Sequence, residues 1–100
     1  MQPNMKMIQQ MQQKLMKAQE QLGSETVEGS AGGGAVVVTM TGHMLATSVK
    51  LDPSTIDPED VEILEEMVLS AVNDAVSKAQ ELASKRMSVV TGGIKIPGLM

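Results

Sequence analysis

Between Pro58 and Gly92 the chain runs for about thirty residues without Gly or Pro. The segment before it supplies a helix start, with Asp57 as a predicted N-cap and Pro58 at the first helical position. A helix extending to about Val90 must bury one side against another layer, and its apolar residues recur at steps of three and four. These positions predict the buried stripe: Val61, Leu64, Val68, Val72, Ala75, Ala79 and Leu82.

The same segment carries alanines four residues apart, at positions 71, 75, 79 and 83. Small side chains in one row allow another backbone to come close to the helix. Ile63 and Leu69 lie outside the predicted stripe and are interpreted as surface contact residues.

A shorter helix is predicted over residues 5–22, with Gly23 as its C-terminal stop. Its apolar positions form a narrow seam, which is typical of packing against another helix in the same chain or in a second subunit. The seam consists of Ile8, Met11, Leu15, Ala18 and Leu22. Gln and Lys occupy most of the other positions.

Between the helices the pattern predicts three strands, at residues 25–31, 35–41 and 44–51. Gly32–Gly34 separates the first two, and a two-residue type II′ turn at Gly42-His43 is predicted to join the last two. The third strand alternates, with Leu45, Thr47, Val49 and Leu51 on one face. The central strand is apolar on both faces, which favours a second covering layer or a second subunit.

The predicted fold class is therefore α+β. Its order is helix, three-stranded antiparallel sheet and long C-terminal helix (α-β-β-β-α), in a single domain over residues 1–100. The apolar tail, residues 92–100, is expected to be either docked or disordered. Because a domain of this size has a thin core, association into an oligomer is a natural supplement.

Composition excludes several function classes. The chain has no Phe, Tyr or Trp, so it lacks the aromatic rings on which single-strand binding modules stack bases. It also has no Cys, which excludes disulfides, zinc fingers and thiol catalysis. We expect no signal peptide and no membrane-spanning segment, and hence a cytoplasmic protein.

Candidate enzyme sites are weak. His43 is the one His of the chain and lies in a predicted turn, without a second ligand or catalytic partner nearby in sequence. The three glycines at 32–34 lack the Gly-Lys-Ser/Thr continuation of a phosphate loop and are expected to form a hairpin loop. Glu62, Glu65 and Glu66 are interpreted as a solvated helix face, and the Met residues of the first helix as core or dimer seam. We therefore predict no enzyme activity, no metal and no cofactor.

Charge is unevenly distributed along a chain whose net charge is −4. Acidic residues crowd the start of the long helix, whereas basic residues lie towards the two ends of the sequence. Contacts from such basic groups would go to phosphates. The candidates are Lys6, Lys14, Lys17, Lys78, Lys85 and Arg86. From charge alone, ordinary solvated side chains are an equal alternative.

Four blocks of sequence resemble the YbaB/EbfC family of small bacterial nucleoid-associated proteins. They are the first helix from Met5-Lys6-Met7 to Gln21, then Leu51-Asp52-Pro53-Ser54, then Ala71-Val72-Asn73-Asp74-Ala75 with Lys78-Ala79 and Glu81, and finally Gly92-Gly93 with Ile96-Pro97-Gly98. The resemblance covers almost the whole chain.

The resemblance implies a homodimer joined through its sheet and helices. It also implies binding to duplex DNA, nucleoid association and a role in gene regulation. The family's DNA contacts are attributed to the helices, which by position brings forward the same six basic residues. Contacts to the DNA backbone are expected, because guanine readout is usually the work of Arg and this chain has one.

A second hypothesis is a protein-interaction module. In that interpretation the Met-rich first helix and the apolar tail dock a protein partner of the replication or repair machinery.

Overall fold

The computed structural model describes residues 5–91, with side chains to residue 88. The predicted tail, residues 92–100, lies outside the described residues. The predicted order of elements is confirmed: α1 Met5–Ser24, β1 Thr26–Ala31, β2 Val36–Thr41, β3 Ala46–Leu51 and α2 Val61–Thr91. The strands form one antiparallel sheet in the order β1-β2-β3.

The core lies between α2 and one face of β1 and β2. Val36 and Val38 of β2 are completely buried there, beside Met40. The alanines of α2 at positions 71, 75 and 79 form the other side of this core and are also fully buried. Alternation along β2 therefore places its even-numbered residues against the helix.

A glycine of β1 sets the distance between helix and sheet. A Cβ built on Gly29 would lie 2.2 Å from the backbone nitrogen of Ala75 and 2.3 Å from the carbonyl oxygen of Ala71. Only a residue without a side chain fits there. The predicted close approach along the alanine row is thus confirmed, and its partner is the backbone of β1.

The start of α2 and the end of α1 both differ from the sequence prediction. α2 begins at Val61, where Asp60 caps it by accepting a bond from the backbone N–H of Ile63 at 3.3 Å. Asp57 instead closes a separate turn before the helix, accepting from the N–H of Glu59 at 2.9 Å. The prediction of Asp57 as N-cap, with Pro58 in the first turn, was wrong because this turn uses up its carboxylate.

The start of the predicted α2 stripe is also displaced. Val61 is exposed, and Leu64 is the first residue of the stripe that packs against the core. At the end of α1, Gly23 does not stop the helix, which continues to Ser24. Gly23 keeps a negative φ, so the expected left-handed cap is absent here.

The β2–β3 hairpin has a three-residue loop rather than the predicted two-residue type II′ turn. The N–H of Met44 donates to the carbonyl of Thr41 at 2.9 Å, and the N–H of Thr41 donates to the carbonyl of Leu45 at 2.8 Å. Met44 takes the left-handed conformation with φ 63°, while Gly42 does not. A turn followed by one left-handed residue is the usual geometry of three-residue hairpins.

β3 is the uncovered part of the sheet. All six of its residues are exposed, because α2 packs across β1 and β2. Val49 and Leu51 pair with Val38 and Val36 of β2, so they share the side of the sheet that α2 covers elsewhere. They are nevertheless 52% and 46% exposed. The described residues thus supply no second layer over β3.

The segment from Glu25 through β1 runs in the opposite direction to α2, so successive residues of this segment contact successively earlier residues of the helix. Glu25 meets Arg86, the carbonyl of Glu28 meets Lys78, and the amide of Ser30 meets Asp74. Because α1 precedes Glu25 and packs on α2, it lies towards the C-terminal part of α2. The basic helix α1 and the acidic start of α2 therefore lie at different ends of a molecule measuring 66 × 25 × 15 Å.

Candidate nucleic-acid interface

The three lysines of α1 lie on one side of the helix. At about 100° per residue, Lys6, Lys14 and Lys17 fall within about 80° of arc. Gln10 and Gln13 fall between or beside them, and these two glutamines line a shallow surface groove together with Lys14 and Lys17. We call these five residues the basic face of α1. It extends for about 16 Å along the helix.

The basic face is separate from the apolar seam of α1. Ala18 and Leu22 at the C-terminal end of the seam are buried. Ile8, Met11 and Leu15 on the preceding turns remain partly exposed. The helix is thus anchored by its last two turns and presents its earlier turns to the surroundings.

None of the lysines on the basic face forms an ion pair with any residue that the structure describes. The only acid within α1 is Glu20, which follows Lys17 by almost one turn. Lysines without acidic partners keep their charge available for an anion. Glutamine amides are also suitable donors to phosphate oxygens.

Lys78 is placed differently, because its ammonium group is already engaged. It donates to the backbone carbonyl of Glu28 at 2.9 Å and pairs with Asp74 at 3.3 Å. Asp74 also accepts a bond from the backbone N–H of Ser30 at 3.0 Å. That bond, and then the bond from Lys78, lowers the pKa of the Asp74 carboxyl group.

Arg86 is engaged as well. Its Nη2 atom lies 2.6 Å from Oε1 of Glu25, at the junction of α1 and β1. The bond to this carboxylate, together with its charge, raises the pKa of Arg86. Its buried Nε atom has no hydrogen-bond partner among the residues that the structure describes. This side chain therefore ties the late part of α2 to the beginning of the sheet.

Lys85 lines an open groove between α2 and the outer edge of β1. The same groove is lined by Lys78 and by the acids Glu28 and Glu81. The two bases and two acids balance one another there. A phosphate entering this groove would meet both signs of charge, unlike one approaching the basic face of α1.

The six predicted basic residues thus divide into two sets. Lys6, Lys14 and Lys17 converge on one exposed helix face, whereas Lys78, Lys85 and Arg86 lie among acids along α2. Sequence reasoning overlooked Gln10 and Gln13 as neighbours of the lysines, although their helical spacing could have shown it. It also overlooked Gly29, for which an isolated Gly inside a strand pattern was the available signal.

Among residues 5–91, no group of three or more His, Cys, Asp or Glu side chains is arranged to hold a metal ion. In the same part of the chain, neither helix combines the length and apolar character needed to cross a bilayer.

The amino-acid sequence matches that of a known protein family. The sequence profile of the YbaB/EbfC DNA-binding family matches residues 1–94. The chain belongs to the YbaB/EbfC DNA-binding family. That family is a class of DNA-binding proteins rather than a class of enzymes.

Two relatives named nucleoid-associated proteins are similar to this chain over nearly their whole length. A nucleoid-associated protein of Pelotomaculum thermopropionicum is 50% identical over 95 residues, covering 95% of this chain and 90% of that protein. A nucleoid-associated protein of Chloroflexus aurantiacus is 50% identical over 91 residues, covering 91% of each. The crystal structure of an uncharacterized protein from Helicobacter pylori has the same fold, with a TM-score of 0.73 at 21% identity. The alignment covers 92% of this chain and 100% of that one.

Two blocks that carry the YbaB/EbfC resemblance have structural roles here. Asp52 ends β3 by accepting bonds from the backbone N–H of Ser54 at 3.0 Å and from its hydroxyl at 2.7 Å. The bond from the Ser54 hydroxyl, and then the bond from its backbone N–H, lowers the pKa of Asp52. In the second block Asp74 holds β1 against α2, as described above. Neither block supplies the basic face of α1.

Proposed function

We propose that this protein binds duplex DNA as a homodimer, mainly through phosphate contacts from the basic face of α1. In this proposal it is a cytoplasmic, nucleoid-associated protein that contributes to nucleoid organisation and gene regulation. Membership of a DNA-binding family and the names of the two relatives support the proposal. The observation that carries it is the alignment of Lys6, Lys14 and Lys17 on one exposed side of α1.

The chemistry of this face suits a DNA backbone. Lysine ammonium groups act as mobile point charges, and Gln10 and Gln13 add neutral donors between them. Such contacts position a duplex without reading its sequence. Lys85, Lys78 and Arg86 remain in the proposed interface with smaller expected contributions, because their surroundings or ion pairs compensate their charge.

Salt dependence of DNA affinity tests the proposed surface. Removing one lysine–phosphate contact is expected to reduce the slope of log affinity against log salt by about 0.9. We expect the double variant Lys14→Gln/Lys17→Gln to reduce that slope by up to about 3.6 in a homodimer, since two lysines are replaced in each chain. Binding to random-sequence duplexes should be measured by fluorescence anisotropy over a range of salt concentrations.

Lys50→Gln is a suitable control, because it removes one positive charge from the exposed strand β3, away from α1. It should leave the slope unchanged. If the double variant keeps the wild-type slope while Lys85→Gln lowers it, the α2 groove is the DNA surface and the assignment to α1 is wrong. If wild-type protein shows no affinity even at low salt, the DNA-binding proposal fails.

The proposed homodimer has a suitable surface at β3. Within the described residues the strand has a free edge, and the exposed side chains of Val49 and Leu51 lie on the face that α2 covers over β1 and β2 but leaves uncovered over β3. An open strand edge beside uncovered apolar side chains is a ready template for pairing with another chain. Two copies of β3 in antiparallel pairing would extend the sheet across a twofold axis.

Light-scattering mass after size exclusion tests this part of the proposal. Val49→Lys places a charge on the uncovered apolar side, and because Val49 is half exposed in the protomer, we expect a folded monomer. Ser48→Lys is the matched control, since Ser48 pairs with Thr39 on the opposite face of the sheet. A Val49→Lys protein with dimer mass would contradict an interface at this surface, and a monomeric wild-type protein would contradict the homodimer.

A second candidate function is docking of a replication or repair protein. It is favoured by Met5 and Met16, which are 74% and 64% exposed on α1 away from the basic face. Flexible methionine side chains suit adaptable protein contacts. The apolar tail in this hypothesis lies outside the described residues. A Met5→Gln/Met16→Gln protein should retain the DNA salt slope and lose a protein partner if this second function exists.

A further inference from the structure

Side chains of α2 bond to the outer edge of β1 and obstruct it at two residues. In this strand Glu28 and Ser30 direct their backbone groups away from β2. The N–H of Ser30 donates to Oδ2 of Asp74 at 3.0 Å, and the carbonyl of Glu28 accepts from Nζ of Lys78 at 2.9 Å. At each of these two successive outward residues, a group that a neighbouring strand would need is therefore already bonded.

Asp74 and Lys78 act as one unit. They lie one helical turn apart and pair with each other at 3.3 Å. They reach the strand because Gly29, the residue between Glu28 and Ser30, lets the backbone of α2 come very close. The close helix–strand contact and the capping of the edge are thus parts of one arrangement.

The edge of β3 has no such cover. The N–H of Asp52 donates to the carbonyl of Ala35 beside β2, so alternate residues Val49 and Leu51 direct their backbone groups outward. Within the described part of the chain, no side chain bonds to those outward groups. Within the described residues, one edge of the three-stranded sheet is therefore obstructed by bonded side chains and the other is open.

This asymmetry determines how copies of the chain can associate. If both edges were open, β1 of one copy could pair with β3 of the next, and such head-to-tail contacts can continue without end. With β1 closed, β3 can pair only with β3 of a second copy, a symmetric contact that closes after two chains. We propose that the Asp74–Lys78 pair is an edge guard: it blocks the outer edge of β1 and so prevents further copies of the chain from adding their strands to the sheet there.

The symmetric pair rests on the homodimer proposed above, but the block at β1 does not depend on it or on DNA binding. The test is the double variant Asp74→Ala/Lys78→Ala, in which alanine preserves helix propensity. Its matched control is Glu81→Ala/Lys85→Ala, the same charge change seven residues, or about two turns, later on the same side of α2. The control residues make no bond to the edge of β1 in the described structure.

Mass should be measured by light scattering over increasing protein concentrations, with circular dichroism to verify folding. We expect the Asp74→Ala/Lys78→Ala protein, the guard variant, to form species of three or more chains. The fraction of protein in these species should rise with protein concentration. Wild type and control should keep a constant mass. A folded guard variant with the wild-type mass at every concentration would overturn the proposal.

If the double variant fails to fold, Lys78→Met replaces it, because Asp74 can still hold Ser30. Higher-order species must then appear with Lys78→Met, because the carbonyl of Glu28 becomes free to bond a strand of another copy, and a constant mass would refute the part that Lys78 plays in the guard. If wild type is monomeric, the homodimer proposal fails, while growth of the guard variant beyond two chains would still establish the block at β1.

Discussion

Replacing Gly29 with Ala should be among the most damaging single substitutions in this chain. The new Cβ would lie 2.2 Å from the nitrogen of Ala75, 2.3 Å from the oxygen of Ala71 and 2.7 Å from the Cα of Ala75. Ordinary carbon contacts need about 3.5 Å or more, so helix and strand would have to separate by roughly 1 Å. The obstructing atoms belong to the backbone and cannot turn aside as a flexible side chain would.

Separation would loosen the packing of α2 on β1 and on the buried valines of β2. Overpacking in a close-packed core typically costs about 1–3 kcal/mol and occasionally more, and a contact with backbone belongs at the upper end. We expect the free energy of unfolding to fall by about 3 kcal/mol, a large part of the total stability of a small domain. For this chain length that corresponds to a fall in Tm of about 12–24 °C.

Gly23→Ala is the matched control, since it is the same substitution in a different setting. Its Cβ would lie 3.5 Å from Cε1 of His43, an ordinary contact, within the last turn of α1. Alanine should therefore stabilise the helix by about 0.5–1 kcal/mol. Urea unfolding monitored by circular dichroism would measure the change in the free energy of unfolding for both variants.

Removing the alanine side chains of α2 that lie opposite Gly29 should not restore the stability lost in Gly29→Ala. Ala71→Gly or Ala75→Gly, added to Gly29→Ala, leaves the obstructing backbone atoms in place. A Gly29→Ala protein that is destabilised by less than about 1 kcal/mol, or that recovers in such a double variant, would refute the proposed role of the helix–strand contact.

Three further predictions concern the turn and the two ion pairs. Met44→Gly should stabilise the protein by about 1 kcal/mol in urea unfolding, because a residue with a side chain is disfavoured at φ 63°; no gain would contradict this. The folded-state pKa of Asp74 is lowered, so its contribution is present above the unfolded pKa of about 3.9 and lost as pH falls through the folded value. The stability difference between wild type and Asp74→Asn should therefore shrink between about pH 7 and pH 3, and a constant difference would contradict the assignment. Arg86→Met should lower Tm through loss of its bond to Glu25, while changing the DNA salt slope less than Lys17→Gln does; the reverse ranking would identify Arg86 as the stronger phosphate contact.

Element order followed from the sequence because each signal was local. The β-branched run in β2 and the long segment without Gly or Pro each specify one kind of backbone, and both were confirmed. Element ends were predicted less well. Asp57 and Asp60 are both plausible caps in sequence, and only the path of the chain between β3 and α2 decides which carboxylate meets the helix.

The lysines of α1 could be grouped from the sequence, since a helix has a fixed angle per residue and Lys6, Lys14 and Lys17 lie on the same helix. The bases of α2 could not be assessed in this way. Helical spacing shows only the pairing of Lys78 with Asp74. Glu25, which pairs with Arg86, and the carbonyl of Glu28, which accepts from Lys78, are some sixty and fifty residues away along the chain, and periodicity carries no information about such contacts.

The sequence by itself determined the order of the elements, the row of small residues on α2 and the separation of acidic from basic segments. These properties depend on neighbours within a few residues, where propensity and periodicity act. Only the tertiary structure decided which strand edge is closed and which is open, and which basic groups are already paired. Those outcomes depend on the meeting of α2 with β1 at Gly29, where the absence of one Cβ brings Asp74 and Lys78 to the strand.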